Sequence, residues 1–173
     1  MSSPVRDVPP LAGAALMKRA MRRLAGGVVV VTAGSGEERV GLTATSAVSL
    51  SVEPPTMLVC INRAVSAWPV IARRRHFCIN ILGAGHQAVA ERFAGIGGLK
   101  GAARYADADW VAMPSGASGL AGAQAILDCT LDEVIERHSH AILLGAVGEV
   151  RIANEDADAL VYRLGRFGSL PLA

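Results

Sequence analysis

Between Val28 and Ile152 the chain alternates short apolar runs with polar or glycine-rich breaks. Val28 to Thr32 is rich in β-branched residues and reads as a buried strand. Gly34 to Glu38 is turn material, and Arg39 to Thr45 reads as the return strand of a hairpin. Met57 to Asn62 and Phe77 to Leu82 repeat the strand pattern. Ala123 to His138 and His140 to Ile152 predict a long antiparallel pair turning at Arg137-His-Ser. Helical spacing appears three times. In Leu11 to Leu24 the residues Leu16, Ala20 and Leu24, with Met17 and Met21, form an apolar stripe that Gly26-Gly27 ends. Ser66 to Arg74 carries Pro69 in its first turn, where proline is tolerated. His86 to Phe93 closes at Gly95. Tyr105 to Pro114 reads as irregular, and Leu160 to Leu164 as a last strand or short helix. The sum is six or seven strands with two or three short helices, most of them joined by short connections. This predicts a mainly β fold, an antiparallel barrel with helices at its rim, rather than a parallel α/β sheet.

With 173 residues the chain is long enough for a single domain with its own core, expected over residues 11–173. Residues 1–10 hold Pro4, Pro9 and Pro10 and read as a flexible arm. Hydrophobic residues make up 51% and charged residues 18%, an apolar globular composition. A net charge of +2 is too small to imply nucleic acid as a partner. No run reaches the length of a membrane span, so no membrane is expected. Cys60, Cys78 and Cys129 lie far apart in apolar runs and form no Cys-x-x-Cys pair. Their odd number, with no secretion signal, points to a reducing cytoplasm.

The stretch richest in chemistry is Gly41 to Asn62. Thr43, Thr45, Ser46, Ser49 and Ser51 place five hydroxyls in nine residues, just before Pro54-Pro55. Small hydroxylic residues let a ligand come close to the backbone and both donate and accept hydrogen bonds. A phosphate or a polar heterocycle edge would suit them; an edge strand and turn is the plainer reading. No Gly-x-Ser-x-Gly nucleophile elbow is present. Gly95 to Gly101 misses the dinucleotide fingerprint, because Lys100 stands where the third glycine belongs, and it follows a helix rather than a strand. His138 and His140 share a strand face without a third metal ligand, so no metal is expected. Asn62 and Asn80 end apolar runs, as turn formers do, yet an amide can also read a heterocycle edge.

Taken together these residues resemble the flavin reductase family, which has the FMN-binding split-barrel fold and supplies the small reductase components of two-component flavin monooxygenases. The resemblance runs from Met21 to Leu170. It is carried by Gly27-Val-Val-Val-Val-Thr32, by Gly41, Thr43, Ser46 and Ser49 before Pro54-Pro55, and by Cys60-Ile-Asn62-Arg63. Phe77-Cys-Ile-Asn80-Ile-Leu82, Glu91-Arg-Phe93-Ala-Gly95, Trp110, Cys129, His140 to Val150, and the tail from Leu160 to Leu170 complete it. The chain departs at His138-Ser139, where the family often has Gly-Asp, at Ala103-Arg104-Tyr105 in the phosphate loop, and at Phe167, where a tyrosine is common.

The resemblance implies a homodimer with a flavin site at or near the subunit interface. The turn of Thr43, Ala44, Thr45 and Ser46, with Ser49, would hold the flavin ring edge and ribityl chain. Asn62 and Ser66 would lie near the ribityl and phosphate, and Asn80 and Leu82 would line the pocket. Lys100 and Arg104 would reach the phosphate, and Phe167 would close the site. His140, the one residue given a catalytic position, would orient the nicotinamide. The implied activity is hydride transfer from NADH or NADPH to FMN or FAD, with reduced flavin passed to a partner monooxygenase. The alternatives are a flavin-binding barrel with another redox role and a non-catalytic barrel that binds a small ligand. The sequence does not choose NADH over NADPH; the Arg73 to Arg75 run is a weak hint of a 2′-phosphate site.

Overall fold

The computed structural model describes residues 12–155 and 157–172; the expected arm, residues 1–10, lies outside them. Helix α1 (Ala14–Met21) leads into strands β1 (Gly26–Gly27), β2 (Val29–Ala33), β3 (Val40–Ala44), β4 (Ala47–Val52) and β5 (Pro55–Asn62). Then come α2 (Ala67–Arg74), β6 (His76–Ile81), α3 (Gln87–Phe93), β7 (Trp110–Ala112), β8 (Ser118–Leu120), β9 (Ala125–Arg137) and β10 (His140–Ile152). Strands β11 (Ala159–Arg163) and β12 (Arg166–Leu170) end the chain.

Seven strands form one antiparallel sheet in the order β3-β2-β6-β9-β10-β5-β4. Its two edge strands, β3 and β4, are consecutive in the chain and joined only by Thr45 and Ser46. Three Cα steps separate Ala44 from Ala47, a reach of at most about 11 Å, so the sheet must curl until its edges nearly meet. One face of every strand supplies the same core, including Leu42 of β3, Val31 of β2, Phe77 and Ile79 of β6, Leu131 of β9, Leu143 of β10 and Val59 of β5. Ala67 and Ile71 of α2 belong to that core too. The edges face each other without pairing: this is a split barrel, and Thr45-Ser46 is its seam.

The mostly apolar character of β2, broken by Thr32, whose Oγ1 donates to Ser118 O at 2.6 Å, follows from burial on both faces. Val29, Val31 and Ala33 point into the barrel, while Val28 and Val30 enter a second core with Cys78, Leu82, Phe93, Tyr105 and Leu120. Strand alternation therefore gives no solvent-facing polar face here. Strand β6 is built likewise, with Asn80 as its buried polar member.

Three expectations need correction. The stretch from Tyr105 to Pro114 is not wholly irregular, because Trp110–Ala112 pairs with Ser118–Leu120. That hairpin is held from below: Leu120 N donates to Asn80 Oδ1 at 2.6 Å and Ser115 N to Asp128 Oδ2 at 2.9 Å. The tail is a hairpin of two strands, joined through β11 to Gly26-Gly27, rather than one element. Helix α1 is shorter than its pattern, and its stripe does not enter the core: no α1 residue is buried, and Leu16 is 61% exposed.

Candidate active site

The seam is built by a close approach. Gly26 of β1 passes so near Thr45 that a Cβ would lie 2.9 Å from the Thr45 Cβ, so only glycine fits there without a shift. Gly41 of β3 is under the same constraint, because a Cβ would lie 2.6 Å from the Phe93 ring. These two glycines let the small β1-β11-β12 sheet and α3 close on the seam from opposite sides.

A cavity of about 500 Å³ opens between them. Thr43, Ala44 and Thr45 form one wall. Gln87 and Glu91 of α3, with Ala94 and Ile96 just after it, form the second, and Tyr162, Gly165, Arg166 and Phe167 of the tail hairpin form the third. The Tyr162 and Phe167 rings meet edge to face at 4.9 Å, a geometry aromatic pairs prefer. The Arg166 side chain makes no hydrogen bond or ion pair with another described residue, so its five donors are free for a ligand. A second cavity of about 630 Å³ lies against the first, and Thr45 and Tyr162 border both.

The hydroxyls that drew attention in the sequence have mostly internal duties. Thr43 Oγ1 donates to Ala90 O of α3 at 2.6 Å, and Ser46 Oγ donates to Cys60 O of the neighbouring strand β5 at 2.7 Å. They fix the backbone on either side of Thr45. What they leave for a ligand is the seam backbone and the Thr45 side chain.

Of the expected site residues, Thr43, Ala44, Thr45 and Phe167 share the first cavity, and Ser46 lines the second. Asn80 and Leu82 do not reach either. Leu82 is in the outer core, and Asn80 is fully buried with both ends of its amide in use, Nδ2 donating to Val30 O at 3.0 Å. Arg104 is a brace rather than a phosphate ligand: its guanidinium donates to the carbonyls of Leu99, Gly41 and Phe93. Tyr105 beside it donates to Val40 O at 2.6 Å, so the two cap the outer edge of β3. Lys100 is exposed in the glycine loop, and Ser49 is exposed on edge strand β4. Ser66 precedes α2, and Asn62 Oδ1 accepts from Ala64 N at 2.9 Å, as a turn former does. His140 faces Asn62 across the β5–β10 ladder, and its Nδ1 lies 2.9 Å from Ser139 Oγ. None of these five lines either cavity.

The basic run falls away from both cavities. Arg73 and Arg74 pair with Glu38, and Arg75 donates to the carbonyls of Leu131 and Asp132. The weak hint of a 2′-phosphate site therefore loses its support. Thiol chemistry is also disfavoured in the core: burial pushes Cys78 far above the usual thiol range and Cys129 up to about 12. Sequence reasoning missed Arg166, Tyr162, Gln87 and Glu91. An Arg-Phe pair after Leu-Gly is only a turn signal until its hairpin is placed opposite the seam.

The flavin reductase like domain matches residues 21–171. The chain belongs to this family. The FMN reductase (NADH) RutF of Methylorubrum extorquens is 40% identical over 92% of this chain and 77% of its own length. Among solved structures, the NADH:FAD oxidoreductase SgcE6 of Streptomyces globisporus, in complex with NAD and FAD fragments, superposes with a TM-score of 0.80 at 30% identity. That match covers 89% of this chain and 90% of SgcE6. BorF, the flavin reductase component of a bacterial two-component tryptophan halogenase, reaches 0.84 at 28% identity, over 93% of this chain and all of BorF. The chain is a flavin oxidoreductase with the antiparallel split-barrel fold of this family.

The first cavity fits a flavin by the chemistry of its donors. The seam supplies backbone groups for a heterocycle edge, the Tyr162–Phe167 pair supplies apolar ring surface, and Arg166 supplies a cation for a phosphate. Its volume falls in the roughly 300–1,000 Å³ range of small-molecule sites.

Proposed function

We propose that this protein transfers a hydride from NADH to FMN bound at the barrel seam and releases reduced flavin to a separate flavin-dependent monooxygenase. The observation that carries the reading is the seam cavity itself, with strand backbone on one side and aromatic rings and a free guanidinium on the other. A bound flavin supplies the hydride acceptor, its N5, so the protein needs no nucleophile of its own. The residues orient and exclude water. Thr43 and Ser46 hold the seam backbone in place, Phe167 and Tyr162 cover the ring, and Arg166 takes the phosphate. His140 and Asn62, adjacent across the ladder, orient the nicotinamide, with Ser66 past the end of β5, Ser49 on edge strand β4 and Lys100 in the glycine loop as further ligand contacts.

The active form in this reading is a cytoplasmic homodimer. Edge strand β4 exposes Val48, Leu50 and Val52, and a partner copy would cover that apolar row. Three free cysteines suit a reducing compartment. The names of RutF and SgcE6 favour NADH over NADPH. BorF's role in a two-component system supports the handover to an oxygenase.

The test is steady-state NADH oxidation against varied FMN, FAD and riboflavin. The expected result is turnover only when flavin is added, with reduced flavin appearing free in solution under anaerobic conditions. No oxidation with any flavin would contradict the reductase reading. Reduced flavin that never leaves the protein would contradict the handover.

A further inference from the structure

The seam cavity carries a charge that holding an oxidised flavin does not require. Gln87, Glu91 and Ala94 stand at i, i+4 and i+7, so one face of α3 and its extension borders the cavity. Gln87 Nε2 donates to Glu91 Oε1 at 2.8 Å, which holds the carboxylate on that face. Glu91 forms no ion pair among the described residues, and the neighbouring Arg92 is committed to Asp107. Helix stability does not account for it, since Glu91 sits in the last turn of α3, where the helix dipole disfavours an anion. Arg166 is the other charged side chain lining the cavity, and the phosphate of a bound FMN would take up its charge. Glu91 is then the uncompensated charge beside the ligand.

Reduction changes the charge of what the cavity holds. A hydride carries one proton and two electrons. NADH gives it up and becomes NAD+, and the neutral flavin ring that accepts it at N5 gains one negative charge, which rests at N1 until a proton is taken up there. We propose that Glu91 is a release residue: its carboxylate weakens the binding of reduced flavin relative to oxidised flavin, so that the product leaves and a fresh oxidised flavin enters. The inference rests on the reductase reading above for the reaction and for the place of the flavin. In a cavity that excludes part of the water, like charges repel over several ångströms more strongly than in bulk solvent. Glu91 is half-buried, which reduces the repulsion without abolishing it.

The test titrates oxidised FMN and dithionite-reduced FMN, anaerobically and at mildly alkaline pH, into the wild-type protein and into Glu91→Gln, Glu91→Ala and Glu91→Asp. The quantity read is the ratio of the reduced to the oxidised dissociation constant, in which the phosphate contact cancels. Removing the charge is expected to lower this ratio about three- to tenfold in Glu91→Gln and Glu91→Ala. The potential of the bound flavin should rise by about 15–30 mV, the same change expressed for a two-electron couple. Glu91→Asp keeps the charge and should keep the wild-type ratio. Riboflavin, which lacks the phosphate, should show the same pattern. Equal ratios in wild type, Glu91→Gln and Glu91→Ala overturn the proposal. A fall in Glu91→Asp as large as in Glu91→Ala also overturns it, because it assigns the effect to side-chain shape. The titrations use no NADH, so the reductase reading is decided separately: if NADH oxidation fails while both flavin states bind, that reading falls and the ratio still decides the role of Glu91. No binding of either flavin state overturns both.

Discussion

The back wall of the barrel and its seam are made from the same kind of strand but solve opposite problems. In the wall, β2, β6, β9 and β10 are paired on both edges, and β2 is buried throughout. Among the described residues, no buried side-chain nitrogen or oxygen on these four strands lacks a partner. Asn80 is the clearest case, with its carbonyl and its amide each committed to a backbone group. At the seam, β3 and β4 have unpaired edges, and the chain protects only part of them. Tyr105 and Arg104 cap Val40 and Gly41, and Thr43 and Ser46 brace the bend. Thr45 is left between two cavities. The difference teaches that the cavities open where the sheet fails to close. A closed ladder would satisfy every strand group internally and leave none for a ligand.

The largest effect should come from the wall. Asn80→Ala leaves Leu120 N buried without its acceptor, at a cost of about 1–3 kcal/mol. Denaturant unfolding is expected to show that loss, while FMN affinity per folded molecule stays at the wild-type value. A variant of normal stability with weak FMN binding would move Asn80 from the wall to the site and break the comparison.

A smaller but more local effect is expected at the seam. Arg166→Ala removes a charge-assisted contact worth about 1.5–3 kcal/mol, or roughly 10–150-fold in FMN affinity. Riboflavin lacks the phosphate and should bind both proteins alike. Unfolding should be unaffected, since Arg166 is exposed. Equal losses for FMN and riboflavin would assign Arg166 to the ring instead.

The smallest effect is expected at the rim. His140→Ala should raise the KM for NADH by roughly 2–12-fold, the loss of one hydrogen bond of about 0.5–1.5 kcal/mol, and leave FMN affinity alone. A thousandfold fall in turnover would give the imidazole a chemical role.

The wall was legible in the sequence and the seam only in outline, for a physical reason. Burial writes itself into residue type: the valines of β2 and the alternation of β10 locate those strands, and β10 runs over His140–Ile152 as its pattern predicts. A ligand surface is written in backbone and in a few side chains brought from distant segments. The hydroxyl-rich turn did mark the seam, but the roles of its hydroxyls came out differently, because Thr43 and Ser46 point back into the protein. Arg104 and Asn80 carried ligand-like chemistry and proved to be internal braces. Arg166 was overlooked because the Gly165 turn that presents it, with Gly165 at φ 82, has no periodic signal. Strand β12 has no counterpart in the sequence reading, which stops at Leu164, because its exposed, glycine-interrupted sequence has no apolar face to announce it.

The central claim is that flavin binds where the barrel edges fail to meet. Ala94 is exposed at the end of α3 and lines the seam cavity, so Ala94→Trp fills that space without touching the core. Ala72→Trp places the same side chain at an exposed position of α2 that lines neither cavity, as the control. Equilibrium titration with FMN is the direct measurement. The account predicts at least about a tenfold loss of affinity, some 1.4 kcal/mol, in Ala94→Trp, with wild-type affinity in Ala72→Trp and unchanged unfolding midpoints in both. Wild-type FMN affinity in a folded Ala94→Trp protein would contradict it.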